Sequence, residues 1–132
     1  MAALRTGVLP LTLATLAMIA APARAHWMRP EDIVAGLASD ARLRDELGVV
    51  AVQIQADLPR LLVIKVDRVR WEAAAPQVRI TLAEEWLETW RHNVPEGIVA
   101  VLDRATDQSV VNFDGLGHAQ LRVTPAVPTP GG

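Results

Sequence analysis

The chain has no cysteine and no tyrosine among its 132 residues, and Lys65 is its single lysine. Without cysteine there is no disulfide, thiolate metal site or catalytic thiol, so a folded domain must be held together by packing. The motifs of P-loops, serine hydrolases and zinc peptidases are also missing, and the only serines are Ser39 and Ser109. We therefore expect no catalytic residues and no enzymatic activity. A small hydrolase built on scattered carboxylates is an alternative without a positive signal.

A basic surface is absent as well. The chain has 13 Lys and Arg against 15 Asp and Glu, and loss of residues 1–25 would remove Arg5 and Arg24. The remaining 11 basic residues leave a formal net charge of −4. Nucleic-acid binding needs a cationic footprint that neutralises phosphates, and anionic membrane surfaces attract the same kind of patch. The charge therefore argues against a nucleic acid or a membrane surface as partner.

Residues 1–25 have the pattern of a secretory signal peptide. Arg5 gives a positive start, residues 8–21 form an apolar run, and Ala23 and Ala25 are small residues at the −3 and −1 positions of a cleavage site. The apolar run is shorter than the ~20 residues that a helix needs to span a bilayer. We expect cleavage after Ala25, a periplasmic or secreted mature protein, and no membrane span in that protein.

Helical and strand patterns alternate along the rest of the chain. Pro30 is favoured at the first position of a helix and Gly48 at its end. From residue 49 the apolar residues recur every second position, which is typical of a strand. The predicted elements are two short helices or one kinked helix over 30–47, strands over 49–56 and 61–66, a helix over 76–92, and strands over 98–102 and 109–113. The 61–66 strand is the more continuously apolar and is expected to be central.

These elements predict an α+β fold with the order α-ββ-α-ββ. Each pair of strands is joined by a short turn, which connects antiparallel and not parallel strands. We therefore expect two β-hairpins that form one four-stranded antiparallel sheet, with the 76–92 helix packed on one face. Residues 48–52 and 97–101 match at four of five positions. A duplicated unit explains this match, and so does the preference for glycine before β-branched residues at helix-to-strand junctions.

The predicted domain spans residues 26–117. Residues 118–132 are expected to form a C-terminal extension that is mostly disordered from residue 125, since its end is rich in proline and glycine. The core is expected where apolar side chains share one face of a helix or strand. These side chains are Leu82, Trp86, Leu87, Trp90, Val52, Ile54 and Ile64.

Trp71 is the best candidate for an exposed contact with a partner, because it follows a predicted strand and lies between Arg70 and Glu72. Residues 49–56 and 109–113 are candidate edge strands, which can accept an added strand from another chain. The first functional hypothesis is therefore a non-catalytic, exported accessory module without a cofactor, which binds another exported protein or peptide.

The histidines predict an alternative function. Cleavage after Ala25 makes His26 the amino-terminal residue, and a terminal histidine chelates Cu(II) through its amine and its ring. Met28, His92 and His118 are the further candidate ligands. The alternative hypothesis is a periplasmic copper-binding protein centred on His26.

Overall fold

The computed structural model describes residues 27–123. The predictions for the signal peptide, for His26 and for the tail from residue 125 therefore concern residues outside the described range. The fold is α+β, which confirms the predicted class. The elements in chain order are α1 (Pro30–Ala38), α2 (Ala41–Leu47), β1 (Val49–Ile54), β2 (Leu61–Val66), α3 (Arg68–Ala73), α4 (Pro76–Asn93), β3 (Ile98–Asp103), β4 (Val111–Phe113) and β5 (Ala119–Leu121).

Two separate helices form in the first segment. α1 has Pro30 at its first position, where the missing N–H is of no consequence. Asp40 caps α2, since its carboxylate accepts the N–H groups of Arg42 and Leu43 at 2.9 and 3.3 Å. Gly48 ends α2 in the left-handed conformation with φ 74°, which glycine adopts without strain. The chain then passes directly into β1.

The main sheet has three strands in the order β1-β2-β3 and is mixed. β1 and β2 form the predicted antiparallel hairpin, and β2 is the central strand. β3, however, pairs with β2 in parallel, with Leu61 opposite Ile98. The predicted four-stranded antiparallel sheet is therefore wrong. The 67–97 connection contains two helices and is long enough to return the chain to the starting end of β2, which makes a parallel crossover possible.

The second predicted hairpin does not form a continuous ladder. After β3 the chain makes one antiparallel bridge, between Leu102 and Ser109, and Val110 donates its N–H to the carbonyl of Val101 at 2.8 Å. β4 then pairs antiparallel with β5 in a separate two-stranded sheet. Ala119 of β5 is buried in the core. The folded domain therefore extends past residue 117 into the segment assigned to the C-terminal extension.

One hydrophobic core lies between the sheet and the helices. The side chains assigned to it from the sequence lie in it or against it: Trp86, Leu87, Trp90 and Ile64 are buried, and Leu82, Val52 and Ile54 are partly buried. The other elements contribute to the same core through residues such as Ile33, Leu47, Trp71 and Val111. β2 and β3 contribute only alternate residues, because successive side chains of a strand point to opposite faces. The described helices therefore pack on one face of the sheet.

Trp90 anchors α4 to the sheet. Its side chain is fully buried, and its Nε1–H donates to the carbonyl of Arg60 at 2.7 Å. The same carbonyl accepts the N–H of Ile98 at 2.8 Å, where β3 starts beside β2. A Cβ atom added to Gly97 would lie 2.6 Å from Cδ1 of Trp90. The junction of α4, β2 and β3 therefore requires glycine at position 97.

We expect Gly97→Ala to lower the free energy of unfolding by about 1–3 kcal/mol, the usual cost of overpacking a core. The buried, hydrogen-bonded indole of Trp90 has no room to move away. Gly115→Ala is the matched control, because nothing lies within 4 Å of a Cβ atom at that position, and it should change stability by less than about 0.5 kcal/mol. Urea unfolding measures both variants. Equal stabilities would show that the indole does not lie against residue 97.

Candidate binding surface

β1 forms one edge of the three-stranded sheet, and no other described strand pairs with it. Its sequence, Val-Val-Ala-Val-Gln-Ile, has no charged residue and no proline. Soluble proteins usually protect edge strands with charges, proline, bulges or short length, because an open edge pairs with other chains. β1 has one such device, a register shift between Val49 and Ala51, where Val50 is 43% exposed. We call this side of β1 the β1 edge.

The hydrogen-bonding pattern identifies the backbone groups that face outward at the β1 edge. Gln55 donates its N–H to the carbonyl of Leu61 at 3.0 Å. The bonded positions of an antiparallel pair repeat every second residue, so Val52 and Ile54 direct their N–H and C=O groups away from β2. No hydrogen bond within residues 27–123 reaches these groups from outside the β1–β2 pair. The β1 edge therefore offers two donors and two acceptors.

The face of the sheet opposite the core is mostly apolar, and we call it the open face. The strand register places eight side chains on it: Ala51, Gln53, Leu61, Val63, Lys65, Ile98, Ala100 and Leu102. None of the six apolar ones belongs to the core cluster or packs against it. Ile98 is 37% exposed, whereas Val63, at the centre of the face, is only 4% exposed. No helix or strand of the described chain covers this face.

The opposite edge of the sheet, along β3, is partly occupied. Ser109 bridges to Leu102, and Asp103 donates its N–H to the carbonyl of Gln108 at 2.8 Å. The segment before β4 thus lies along the outer side of β3. Of the two edges, β1 is the one that pairs with no further strand or bridge within the described residues.

Trp71 is not part of a surface. Sequence reasoning missed α3, which turns Trp71 into the core, where it is 1% exposed. Its ring stacks on Trp86 with the ring centroids 6.1 Å apart, and the guanidinium of Arg79 lies 6.0 Å from its centroid. The expectation of an exposed contact at Trp71 is therefore wrong. A six-residue helix with one buried side chain leaves no periodicity by which the sequence could reveal it.

A cleft of about 490 Å³ lies between the polar face of α4 and the turn that precedes β5. His92 and His118 both line it, together with Glu84 and Glu88. Glu84 also accepts the N–H of Ala119 at 3.2 Å, which holds β5 against α4. Within residues 27–123, no three His, Asp or Glu side chains are grouped so that they could hold a metal ion.

The described chain begins beside this cleft. The ring of Trp27 stacks on the imidazole of His92, with the ring centroids 5.5 Å apart. Met28 is exposed, and its backbone N–H donates to Oδ1 of Asn93 at 2.6 Å. His26 directly precedes Trp27 in the sequence but lies outside the described residues. Met28 and His92 therefore lie at the C-terminal end of α4, and His118 lines the same cleft as His92.

Asp114 shapes the turn before β5. Its Oδ1 accepts the backbone N–H groups of His118 at 2.9 Å and Leu116 at 2.8 Å, and its Oδ2 lies 3.3 Å from Nδ1 of His118. The hydrogen bond from the backbone of His118, then that from Leu116 and the nearby imidazole, favour the carboxylate. They lower the pKa of Asp114 below its ordinary value. Because this side chain is exposed, the bonds fix the local turn more than they stabilise the domain.

The lowered pKa predicts the pH at which this turn loosens. The turn is favoured while Asp114 is ionised, and this preference is lost as the pH falls below the ordinary aspartate pKa of about 3.9. We expect the NMR signals of the Leu116 and His118 amides to titrate with a midpoint below that of the same aspartate in a short unfolded peptide. Asp114→Asn should abolish this titration. A midpoint equal to that of the peptide would contradict the hydrogen-bonded turn.

No family model, curated protein or solved structure matches this chain. None of the helices within residues 27–123 is long and apolar enough to cross a membrane. The basis for a functional assignment is therefore the β1 edge, the open face and the cleft beside α4.

Proposed function

We propose that the chain is an exported, non-catalytic binding module that captures an extended segment of a partner protein as a strand added to β1. The observation that carries this proposal is the β1 edge, whose outward backbone groups have no hydrogen-bond partner within the described residues. An extended polypeptide satisfies donors and acceptors of this kind at the same time.

The backbone of β1 supplies part of the affinity. Val52 and Ile54 each offer one N–H and one C=O, and a hydrogen bond contributes a net ~0.5–1.5 kcal/mol. Four such bonds amount to about 2–6 kcal/mol, which must offset the ordering of the captured segment. Backbone pairing alone therefore gives weak binding with little sequence preference, and side chains of the segment must add to it.

The surroundings of the β1 edge define the segment that fits best. An added strand alternates its side chains between the core side and the open face. On the core side its neighbours are Val52 and Ile54, which are only partly buried. On the other side they are Ala51 and Gln53, which are uncharged. These neighbours favour a segment rich in β-branched or aromatic residues and poor in charge.

The signal-peptide pattern of residues 1–25 supports export. A partner must then be present in the same compartment. We therefore propose a periplasmic or extracellular location and another exported protein or peptide as the partner.

Lysine at the β1 edge should prevent strand capture, because pairing would bury its charge. The test protein carries Val50→Lys and Gln53→Lys, both at exposed positions, and Val69→Lys on α3 is the matched control. Peptides selected from a displayed random library on the unmodified mature protein serve as probes. We expect them to bind the control as they bind the parent, and to bind the edge variant at least about tenfold more weakly, a loss of ~1.4 kcal/mol.

Hydrogen exchange locates the bound peptide. A selected peptide should slow the exchange of the Val52 and Ile54 amides, because these are the donors that an added strand occupies. Equal binding to the parent and the edge variant, no slowing at these amides, or a library without any binder would each contradict strand capture.

The Trp27–His92 stack favours a second candidate function, copper binding. His26 directly precedes Trp27, whose ring lies on His92, and His118 lines the same cleft as His92. A new amino terminus at His26 would supply an amine and an imidazole, which together suit Cu(II). The described residues lack a complete ligand set, so this function depends on cleavage after Ala25.

A copper titration tests this second function. We expect protein whose first residue is His26, as verified by mass spectrometry, to bind Cu(II) more tightly than protein that retains Ala25. The retained residue removes the terminal amine from His26. His92→Ala should weaken binding only in the His26-terminated form. Equal affinities of the two forms would exclude a site at the mature terminus.

A further inference from the structure

The size of the open face restricts what can cover it. Three strands at a spacing of ~4.8 Å and six residues at ~3.3 Å give an area about 14 Å wide and 20 Å long. An α-helix is about 10–12 Å in diameter, and about 13 residues of it span 20 Å. One helix of that length therefore covers the open face.

The side chains of the open face also suit a helix. β2 and β3 are parallel strands joined by a helical crossover, and helices ordinarily cover both faces of a sheet built in this way. The helices of the described chain all contribute to the core on the opposite face. The open face nevertheless carries the half-buried Leu61 and Leu102 and the exposed Ile98, where a sheet face meant for water alternates to polar residues.

The two ends of the open face each carry both signs of charge. Lys65 pairs with Asp107 at 3.4 Å at one end, and Arg60 pairs with Glu96 at 3.7 Å at the other. Neither end attracts one sign of charge over the other. The apolar centre therefore dominates the contact, and the matching helix has an apolar stripe on one side.

A second copy of this chain fits the open face poorly. Two such faces packed together would cover a flat area of only roughly 300 Å² on each sheet. In a specific, stable interface each partner buries ~800 Å² of accessible surface. A partner that adds a strand to β1 and also covers the open face buries more, because the two surfaces adjoin along β1. The available area favours one partner that uses both.

We infer that the partner segment captured at the β1 edge adjoins an amphipathic helix of about 13 residues, which packs on the open face. This inference rests on the proposed function, since it assigns the helix to the same partner. The complex is a three-layer sandwich, with the helices of this chain on one face of the sheet and the partner helix on the other.

The test compares two probes on the whole mature protein by calorimetry. One is a strand peptide selected as above, and the other is the same peptide linked to a designed amphipathic helix of about 13 residues. We expect the linked peptide to bind at least about tenfold more tightly. Ile98→Asp should remove that gain and leave the affinity for the strand peptide unchanged. Val69→Asp, on the exposed side of α3, is the matched control and should keep the gain.

The outcomes separate the two proposals. Unchanged binding of the strand peptide also shows that the Ile98→Asp protein is folded. Equal affinities of the linked and unlinked peptides would overturn the helix and leave strand capture intact, whereas a strand peptide that fails to bind would overturn the proposed function. A free protein that sediments as a dimer, and that Ile98→Asp makes monomeric, would assign the open face to a second copy and overturn the inference.

Discussion

The carbonyl of Arg60 joins three elements of this fold. It accepts the indole N–H of Trp90 at 2.7 Å and the backbone N–H of Ile98 at 2.8 Å. The first bond holds the end of α4 beneath the sheet, and the second starts β3 alongside β2 in the parallel direction. The crossover therefore returns on the core side, where α1 and the β4–β5 pair also pack. Because the described elements cover the same side, the other face of the sheet is left open.

Local patterns in the sequence predicted most of the helices and strands. They also predicted part of the candidate binding surface. The helix over residues 76–92 and the strand over residues 61–66 agree closely with α4 and β2, since amphipathic and apolar runs report burial directly. The continuous apolar character of β2 also predicted its central place, and residues 49–56 were recognised as a candidate edge strand. Each of these features depends on neighbouring residues alone, which is why the sequence was sufficient.

Strand pairing and the open face depend on contacts between distant residues. The short turn after β3 suggested a hairpin, yet the returning segment pairs with β3 only around the bridge between Leu102 and Ser109, and the strand that forms a ladder with β3 is β2. The similar segments that begin at Gly48 and Gly97 share one requirement, because neither glycine has room for a Cβ atom. A Cβ atom at Gly48 would lie 2.8 Å from Cβ of Arg70, and Gly48 also has a positive φ, whereas a Cβ atom at Gly97 would meet the indole of Trp90. The wrong prediction of the sheet came from the short turns between the strands, and not from this likeness.

The apolar side chains of the open face lie outside the core cluster of the described domain. The core on the other side already contains Trp71, Trp86 and Trp90, and each large aromatic buries about 150–250 Å². A domain of two layers that faced water on its second side would keep polar residues there, since burial alone favours apolar ones. Leu61 and Ile98 on the open face, beside an edge strand without charge, instead suit a sheet that is completed by another polypeptide. In the proposed complex, the stability of this fold and the binding of the partner thus depend on opposite faces of one sheet.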